Sequence, residues 1–220
     1  MNIHTIILAG GKGTRMLSQK AKVLQALGGR TMLNHVMKAA NKISNKISVV
    51  VGFDKEGVEE EIKKIGINAN TYLQKEQIGT ADAVKTTLKD IDKNEKILIL
   101  YGDVPLIKEE TLKKLCNQKS DLSILTTNLE NPTGYGRTLK DKENNVLGII
   151  EEKDADLEQK KIKEIFTGIL VAKGSVLKKY IPEIDNNNSA KEFYLTDLIG
   201  IAHKNGFKIK TLSSSNEETA

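Results

Sequence analysis

The stretch HTIILAGGKGTRM, residues 4–16, joins an apolar run to a glycine-rich loop that carries Lys12 and Arg15. The apolar run predicts a buried strand, and the loop then places backbone N–H groups at the carboxyl end of that strand. Glycine allows a backbone to curl and to approach a ligand closely, and a guanidinium presents a planar fork of donors that suits phosphate. The stretch therefore predicts an anion-binding loop at one edge of a sheet.

The loop differs from two common phosphate-binding motifs. A Walker A loop requires G-x-x-x-x-G-K-[ST], whereas Lys12 is followed by glycine. A dinucleotide-binding loop requires a third glycine, and Met16 stands in its place. On these residues alone, a tight strand-to-helix turn with incidental cations remains an alternative.

Apolar runs alternate with amphipathic helical patterns over the first half of the chain. Strands are predicted at 4–10, 46–52, 70–73 and 96–103, and helices at 31–42, 54–65, 80–88 and 108–116. Further strands are predicted at 122–129, 145–154, 164–173 and 206–212, with a turn at 131–137 and helices at 174–180 and 195–204, whereas the tail SSSNEETA has no pattern. Repeated strand–helix units indicate an α/β fold in three layers, with helices on both faces of a mostly parallel mixed sheet.

The composition excludes several classes of partner. Net charge is +5 and the pI is about 9.0, but lysines are interspersed with acidic residues, so no nucleic-acid partner is predicted. No apolar stretch reaches about 18 residues, so no membrane partner is expected. The single cysteine, Cys116, excludes an intramolecular disulfide and suits a reducing, cytoplasmic setting.

Asp103 ends the apolar strand KILILYGD and should lie at the same sheet edge as the glycine loop. Ligands of open α/β sheets bind at this edge. A lone carboxylate beside phosphates suits Mg²⁺, which keeps several waters and takes few protein ligands. We therefore favour a magnesium ligand at this position over a helix N-cap.

A series of segments resembles the nucleotidyltransferase domain of bacterial N-acetylglucosamine-1-phosphate uridylyltransferase. In order, the segments are LAGGKGTRM, KVLQALGGRTM, Gln74 with IGTADAV, YGDVPLI, PTGYGR, GIIEEKDA, EIFTGIL and EFYLTDLI. The resemblance implies a Rossmann-like nucleotidyltransferase fold and one sugar-phosphate nucleotidyltransferase domain over residues 1–220. It also implies transfer of UMP from UTP to N-acetylglucosamine 1-phosphate, with Mg²⁺ as cofactor and pyrophosphate as second product.

The resemblance assigns roles to individual residues. Arg15 and Lys22 would hold the triphosphate, and Asp103 would bind the metal. The nucleotide would contact Leu8, Ala9, Gly10, Gly11, Gly13, Gln74, Gly79, Thr80, Tyr101 and Gly102, with the uracil recognised by Gln74, Gly79 and Thr80. The sugar phosphate would contact Gly136, Glu151, Phe166, Tyr194 and Thr196.

The chain departs from the family at several positions. Phe166 replaces an asparagine that contacts the sugar, which leaves another sugar phosphate, another NTP or a binding-only pseudoenzyme as alternatives. Ala21 replaces a proline and should loosen the turn before Lys22. Asp82 stands where glycine or histidine is common; it suits a helix dipole but adds negative charge near a polyanion.

The end of the chain carries two further expectations. The family's second metal ligand, an asparagine, would fall beyond Ala220, and the C-terminal left-handed β-helix acetyltransferase domain of bifunctional relatives is expected to be absent. Because family trimers form largely through that domain, a monomer or weak oligomer is expected.

Overall fold

The computed structural model describes residues 2–13 and 20–219. In these ranges the strands are β1 (Ile3–Leu8), β2 (Ala26–Leu27), β3 (Arg30–Thr31), β4 (Lys46–Val51), β5 (Asn70–Leu73), β6 (Lys96–Tyr101), β7 (Leu122–Asn128), β8 (Arg137–Lys140), β9 (Val146–Ile150), β10 (Glu164–Lys173) and β11 (Ile209–Ser213). The α-helices are α1 (Met32–Asn41), α2 (Lys55–Ile65), α3 (Thr80–Lys85), α4 (Glu109–Cys116), α5 (Gly174–Tyr180), α6 (Asp197–Lys204) and α7 (Asn216–Thr219).

The described residues form a nine-stranded mixed sheet and a separate two-stranded antiparallel sheet of β2 and β3. The nine-stranded sheet organises the fold. Its main path runs β11-β7-β10-β6-β1-β4-β5, and β8 and β9 extend it beside β10. β1, β4, β5 and β6 are mutually parallel, as are β7 and β11, whereas β10 is antiparallel to both of its main neighbours. The predicted α/β fold with a mostly parallel mixed sheet is confirmed.

Side chains of the central strands alternate between two cores. On β1, Ile6 and Leu8 pack into the core beneath α3, α5 and α6, whereas Ile7 packs into the core beneath α1, α2 and α4. β6 divides its apolar residues in the same way. Because helices cover both faces of the sheet, the central strands are continuously apolar and do not alternate between apolar and polar residues. The sheet and the helices on its two faces form the three layers.

Several predicted elements differ from the structure. The tail has no pattern in sequence, but it contains α7, and its Glu218 is buried against Thr111, whose Oγ1 donates to Glu218 Oε2 over 2.7 Å. The predicted turn at 131–137 ends in a strand, β8, whose first residue is Arg137. The strand expected at 145–154 is confined to β9, because the chain turns after Ile150.

Two structural features relate to the composition of the chain. None of the helices in residues 2–13 and 20–219 combines the length and apolar character needed to cross a membrane. Cys116 is buried at the end of α4, and burial raises the pKa of its thiol to about 11, which leaves little reactive thiolate at neutral pH.

Candidate active site

The carboxyl ends of four parallel strands bring the predicted nucleotide residues together. β1, β4, β5 and β6 end at one edge of the sheet, where the chain continues into the glycine loop, Gly52, Gln74 and the Gly102–Asp103 pair. Asp103 does not cap α4, because the N-cap position of that helix is Lys108. The structure therefore places Asp103 at the edge where open α/β sheets bind ligands.

A cavity of about 240 Å³ opens at this edge. It is lined by Leu8, Ala9, Gly10, Gly11, Gly13, Lys22, Val23, Gln74, Gln77, Gly79, Thr80, Ala83, Tyr101, Asp103 and Glu192. The lining does not include Gly102, which packs against Val23 and the end of β1: a Cβ there would lie 2.9 Å from Val23 Cγ1 and 3.3 Å from Leu8 O. Sequence reasoning missed Val23, Gln77, Ala83 and Glu192, although all four lie in or beside the segments that carry the resemblance.

The glycine loop requires glycine at two described positions. Gly13 has a left-handed backbone (φ 61°), and a Cβ there would lie 2.7 Å from the Cβ of Lys22. A Cβ on Gly10 would lie 3.2 Å from Gln74 Oε1 and 3.3 Å from Gly52 N, so a larger residue there would crowd both neighbours. Arg15, the other predicted triphosphate ligand, lies outside the described residues.

Lys22 and Asp103 meet at the mouth of the cavity. Lys22 Nζ lies 2.8 Å from Asp103 Oδ2, and the two side chains are 40% and 29% exposed. Lys22 is the predicted triphosphate ligand and Asp103 the predicted metal ligand, so the contact brings these two residues together. Both charged groups remain accessible to a ligand. An incoming phosphate would compete for the ammonium, and a cation would compete for the carboxylate.

The turn that presents Lys22 is tied to the neighbouring helix. The Ala21 N–H donates to Asp54 Oδ2 over 3.0 Å, and Asp54 occupies the residue before α2 in a left-handed conformation (φ 54°). Lys22 then begins a short 3-10 turn, Lys22–Leu24, whose Val23 is buried. The turn expected to be loosened by alanine at position 21 is instead held by a hydrogen bond that proline could not make.

Gln74 is buried and its amide is held on one side. Its Nε2 donates to Gly79 O over 2.9 Å and to Asp82 Oδ2 over 3.0 Å. Both partners are acceptors, so the orientation of the amide follows from them. Oε1 is left on the side of Gly10, in the cavity where the resemblance places the uracil.

Tyr101 lines this cavity and also a second one. The second cavity, of about 390 Å³, is lined by Lys22, Tyr101, Asp103, Val104, Pro105, Leu106, Tyr135, Thr167, Glu217, Glu218 and Thr219. The Tyr101 ring lies against Gly168, where a Cβ would approach it to 2.8 Å. Burial raises the pKa of Tyr101, so its phenol stays protonated and can donate a hydrogen bond.

Four of the five predicted sugar-phosphate residues form a neighbouring group outside both cavity linings. Thr196 Oγ1 donates to Glu151 Oε1 over 3.0 Å, and a Cβ on Gly136 would lie 3.4 Å from Glu151 Oε2. Burial, and then the negative charges of Asp154 and Glu151, raise the pKa of Tyr194 to about 12. Burial also raises the pKa of Glu151, which Thr196 opposes by donating to the carboxylate.

The Phe166 side chain lies in the core, whereas its backbone contacts this group. The residue is 5% exposed and packs into the core beneath α3, α5 and α6, and Phe166 N donates to Gly136 O over 2.9 Å. A phenyl ring has no polar atom to offer a sugar, and its apolar surface favours the core. The structure therefore does not bring the Phe166 side chain to either cavity.

Two described carboxylates, Asp103 and Glu192, line the cavity at the glycine-loop edge, and Asp103 is the one that the resemblance assigns to a metal. No group of three or more His, Cys, Asp or Glu residues within 2–13 and 20–219 is arranged to hold a metal ion. This donor set does not suit an all-protein cage, but it suits Mg²⁺, which is commonly held by one or two carboxylates together with substrate phosphates and water. Asp103 fits that pattern because it lines the same cavity as the glycine loop, which is predicted to bind phosphate.

Comparisons with known proteins agree with this architecture. The family model of the MobA-like NTP transferase domain matches residues 5–154. The bifunctional protein GlmU of Ruthia magnifica subsp. Calyptogena magnifica is 43% identical over 218 residues, which cover 98% of this chain and 48% of that protein. The GlmU protein of Buchnera aphidicola subsp. Acyrthosiphon pisum (strain Tuc7) is 45% identical over 219 residues, covering 98% and 47%.

The chain thus spans about half the length of the curated relatives that it matches. A solved structure from Bacillus anthracis, assigned as a glucose-1-phosphate thymidylyltransferase and determined in complex with a sucrose, has a TM-score of 0.76 and 20% sequence identity. The alignment covers 97% of this chain and 87% of that one. At this identity the similarity concerns the fold alone.

Proposed function

The chain belongs to the MobA-like NTP transferase family, and we propose that it transfers UMP from UTP to N-acetylglucosamine 1-phosphate with Mg²⁺. The products would be UDP-N-acetylglucosamine and pyrophosphate. The observation that carries this proposal is the juxtaposition, around one cavity, of the glycine loop, the Gln74 amide and the Lys22–Asp103 pair. The 43–45% identity to bifunctional GlmU proteins supports this choice of substrates within the family.

The reaction needs alignment and charge neutralisation more than proton transfer. A phosphate oxygen of the sugar phosphate forms a bond to the α-phosphorus of UTP, and the bond from that phosphorus to the oxygen shared with the β-phosphate breaks. Pyrophosphate leaves with the electron pair. A phosphate monoester has a second pKa of about 6 and is largely dianionic at neutral pH, so no general base is required.

Lys22 is the described residue placed to offset the charge of the two phosphate-bearing substrates. Its ammonium faces both cavities and is held beside Asp103. A preorganised cation stabilises charge that develops on transferring phosphates at little reorganisation cost. Bound at Asp103, Mg²⁺ would neutralise further phosphate charge. The resemblance to the family also assigns Arg15 to the triphosphate, which it would bind together with Lys22.

We propose that the sugar is bound by carboxylate and hydroxyl groups of the protein. Glu151, Thr196 and Tyr194 could hydrogen-bond sugar hydroxyls, whereas the net negative charge there disfavours the phosphate. The phosphate would therefore point towards Lys22. A second candidate function keeps the chemistry but uses another sugar 1-phosphate, and the observation that favours it is the burial of Phe166 in the core.

The test is pyrophosphate release from a matrix of substrates. The chain is incubated with Mg²⁺, each of UTP, CTP, ATP, GTP and dTTP, and each of N-acetylglucosamine, glucose and galactose 1-phosphates. We expect the fastest release with UTP and N-acetylglucosamine 1-phosphate. Faster release with another sugar would support the second candidate, and no release with any pair would contradict both.

A further inference from the structure

We propose that Asp82 is a positioning residue that fixes the orientation of the Gln74 amide and thereby favours uracil over cytosine. The inference rests on the proposed nucleotide site and concerns a residue to which the family pattern assigns no such role. Asp82 does not line the nucleotide cavity and would act through Gln74.

The hydrogen bonds of Gln74 leave its amide with one available polar atom. Nε2 has two hydrogens, and both are used, one by Gly79 O at 2.9 Å and one by Asp82 Oδ2 at 3.0 Å. The backbone carbonyl of Gln74 is also occupied, because it accepts from Gln77 Nε2 at 3.1 Å. Within the described part of the chain no donor to Oε1 is found, and this oxygen faces Gly10 at the cavity wall.

Asp82 makes this orientation more favourable than a backbone carbonyl alone would. If the amide rotated by 180°, Oε1 would meet a carboxylate and a carbonyl, and three oxygens would face one another without a proton. A hydrogen bond to an ionised acceptor is also stronger than one between neutral groups. The Gln74 side chain is buried, so water cannot easily replace either contact.

An acceptor fixed in this way distinguishes the two pyrimidines. Uracil has an N3–H that can donate to Oε1, whereas N3 of cytosine is an acceptor whose lone pair would oppose that of Oε1. A site whose buried polar group is left unpaired rejects the wrong ligand strongly. Asp82 would therefore influence base preference without touching the base.

Asp82 also lies in the first turn of α3, so a simple effect on helix stability must be separated from the positioning role. Asp82→Asn keeps an oxygen that can accept from Nε2, whereas Asp82→Ala removes it. Glu110→Ala is a matched control, because Glu110 is an exposed acid in the first turn of α4. A dipole effect alone would change stability and leave the base preference unaltered.

The experiment measures equilibrium dissociation constants of UTP and CTP, each with Mg²⁺, by calorimetry for the wild-type chain and these variants. We expect the wild type to prefer UTP and Asp82→Ala to reduce the ratio of the two constants about tenfold, equivalent to about 1.4 kcal/mol. Asp82→Asn should keep the ratio within about threefold of the wild type, and Glu110→Ala should leave it unchanged. Circular dichroism confirms that each variant is folded.

Two results would overturn the inference: an Asp82→Ala ratio within twofold of the wild type, or a wild type without preference for UTP. Pyrophosphate release, measured in parallel, tests the proposed function separately. If no substrate pair releases pyrophosphate while the UTP preference depends on Asp82, the proposed function fails and the positioning role stands. If the enzyme is active and Asp82→Ala leaves the ratio unaltered, the positioning role fails and the proposed function stands.

Discussion

The Lys22–Asp103 contact is too exposed to be explained by stability. Both side chains are more than a quarter accessible to solvent, and exposed pairs contribute only about 0–1 kcal/mol. The same exposure leaves the ammonium and the carboxylate available to ligands. We therefore expect mutations here to alter turnover far more than folding.

Lys22→Ala should lower kcat for pyrophosphate release by roughly 10²-fold or more, as for loss of one charge-stabilising donor. Arg15→Ala should also lower kcat, because the resemblance assigns Arg15 to the same triphosphate as Lys22. The control is Lys173→Ala, which breaks another lysine–aspartate pair, with Asp121 at 2.7 Å, at the opposite edge of the sheet. Similar turnover in all three variants and the wild type would contradict the assignment.

His4 is a residue whose burial has consequences for pH stability. It is fully buried on β1, its Nε2 lies 2.8 Å from Ser48 Oγ, and its Nδ1 lies 3.6 Å from Glu95. Burial, reinforced by the positive charge of Lys46, lowers the pKa of His4 from 6.5 to about 4. Between these two values the unfolded chain binds a proton that the folded chain excludes, so stability falls as pH falls through this range.

The wild type should lose about 2 kcal/mol more unfolding free energy than His4→Gln between pH 7 and pH 5, because a shift of one pKa unit corresponds to about 1.4 kcal/mol. Urea unfolding of both proteins at the two pH values measures this difference. Carboxylates titrate alike in both proteins and cancel in the comparison. Equal losses would show that His4 does not carry the effect.

Among the elements, α2 supports the turn that presents Lys22. The residue before this helix, Asp54, reaches back to the Ala21 N–H, and its carboxylate lies so close to Gly57 that a Cβ there would approach Oδ1 to 2.5 Å. The backbone of Ala21 has φ −53° and ψ 143°, values that proline adopts. A proline would stiffen the turn by its ring, whereas alanine relies on the hydrogen bond.

A double-mutant cycle with Asp54→Ala and Ala21→Pro tests this tie. Asp54→Ala should destabilise the wild-type protein by about 1 kcal/mol more than it destabilises the Ala21→Pro variant, because only alanine has an N–H to lose its acceptor. Backbone strain at position 54 is the same in both backgrounds and cancels. Urea unfolding of the four proteins gives the coupling, and a coupling near zero would contradict the account.

The elements that could be predicted from the sequence are those marked by a local residue pattern. Elements that depend on contacts between residues far apart in the sequence could not be predicted. The apolar runs at 4–10 and 96–103 predicted β1 and β6, because strands covered on both faces must be continuously apolar. β8 was missed because its first residue is a buried arginine, which Glu152 neutralises at 2.6 Å. That partner lies 15 residues away, and no periodic pattern reports it.

At the scale of the whole molecule, the placement of the glycine loop and Asp103 around one cavity could be predicted from the sequence, whereas the second cavity could not. Parallel strands bring their carboxyl ends together wherever they lie in sequence, so the glycine loop and Asp103 could be placed at one edge in advance. The second cavity instead combines residues 104–106 with residues 217–219, which the tail's docking against α4 brings together. Phe166 was predicted to contact the sugar phosphate because of its position in a motif. Its side chain is apolar and packs in the core instead.

The most direct test of the account is the magnesium-dependent rate of pyrophosphate release by Asp103→Asn, with UTP and N-acetylglucosamine 1-phosphate as substrates. Asparagine keeps the shape of the side chain and removes the negative charge proposed to hold Mg²⁺. We predict a loss of roughly 10²-fold in kcat relative to the wild type, with a thermal midpoint within a few degrees because the pair is exposed. A variant that retains turnover within threefold of the wild type at the same Mg²⁺ concentration would contradict the central claim.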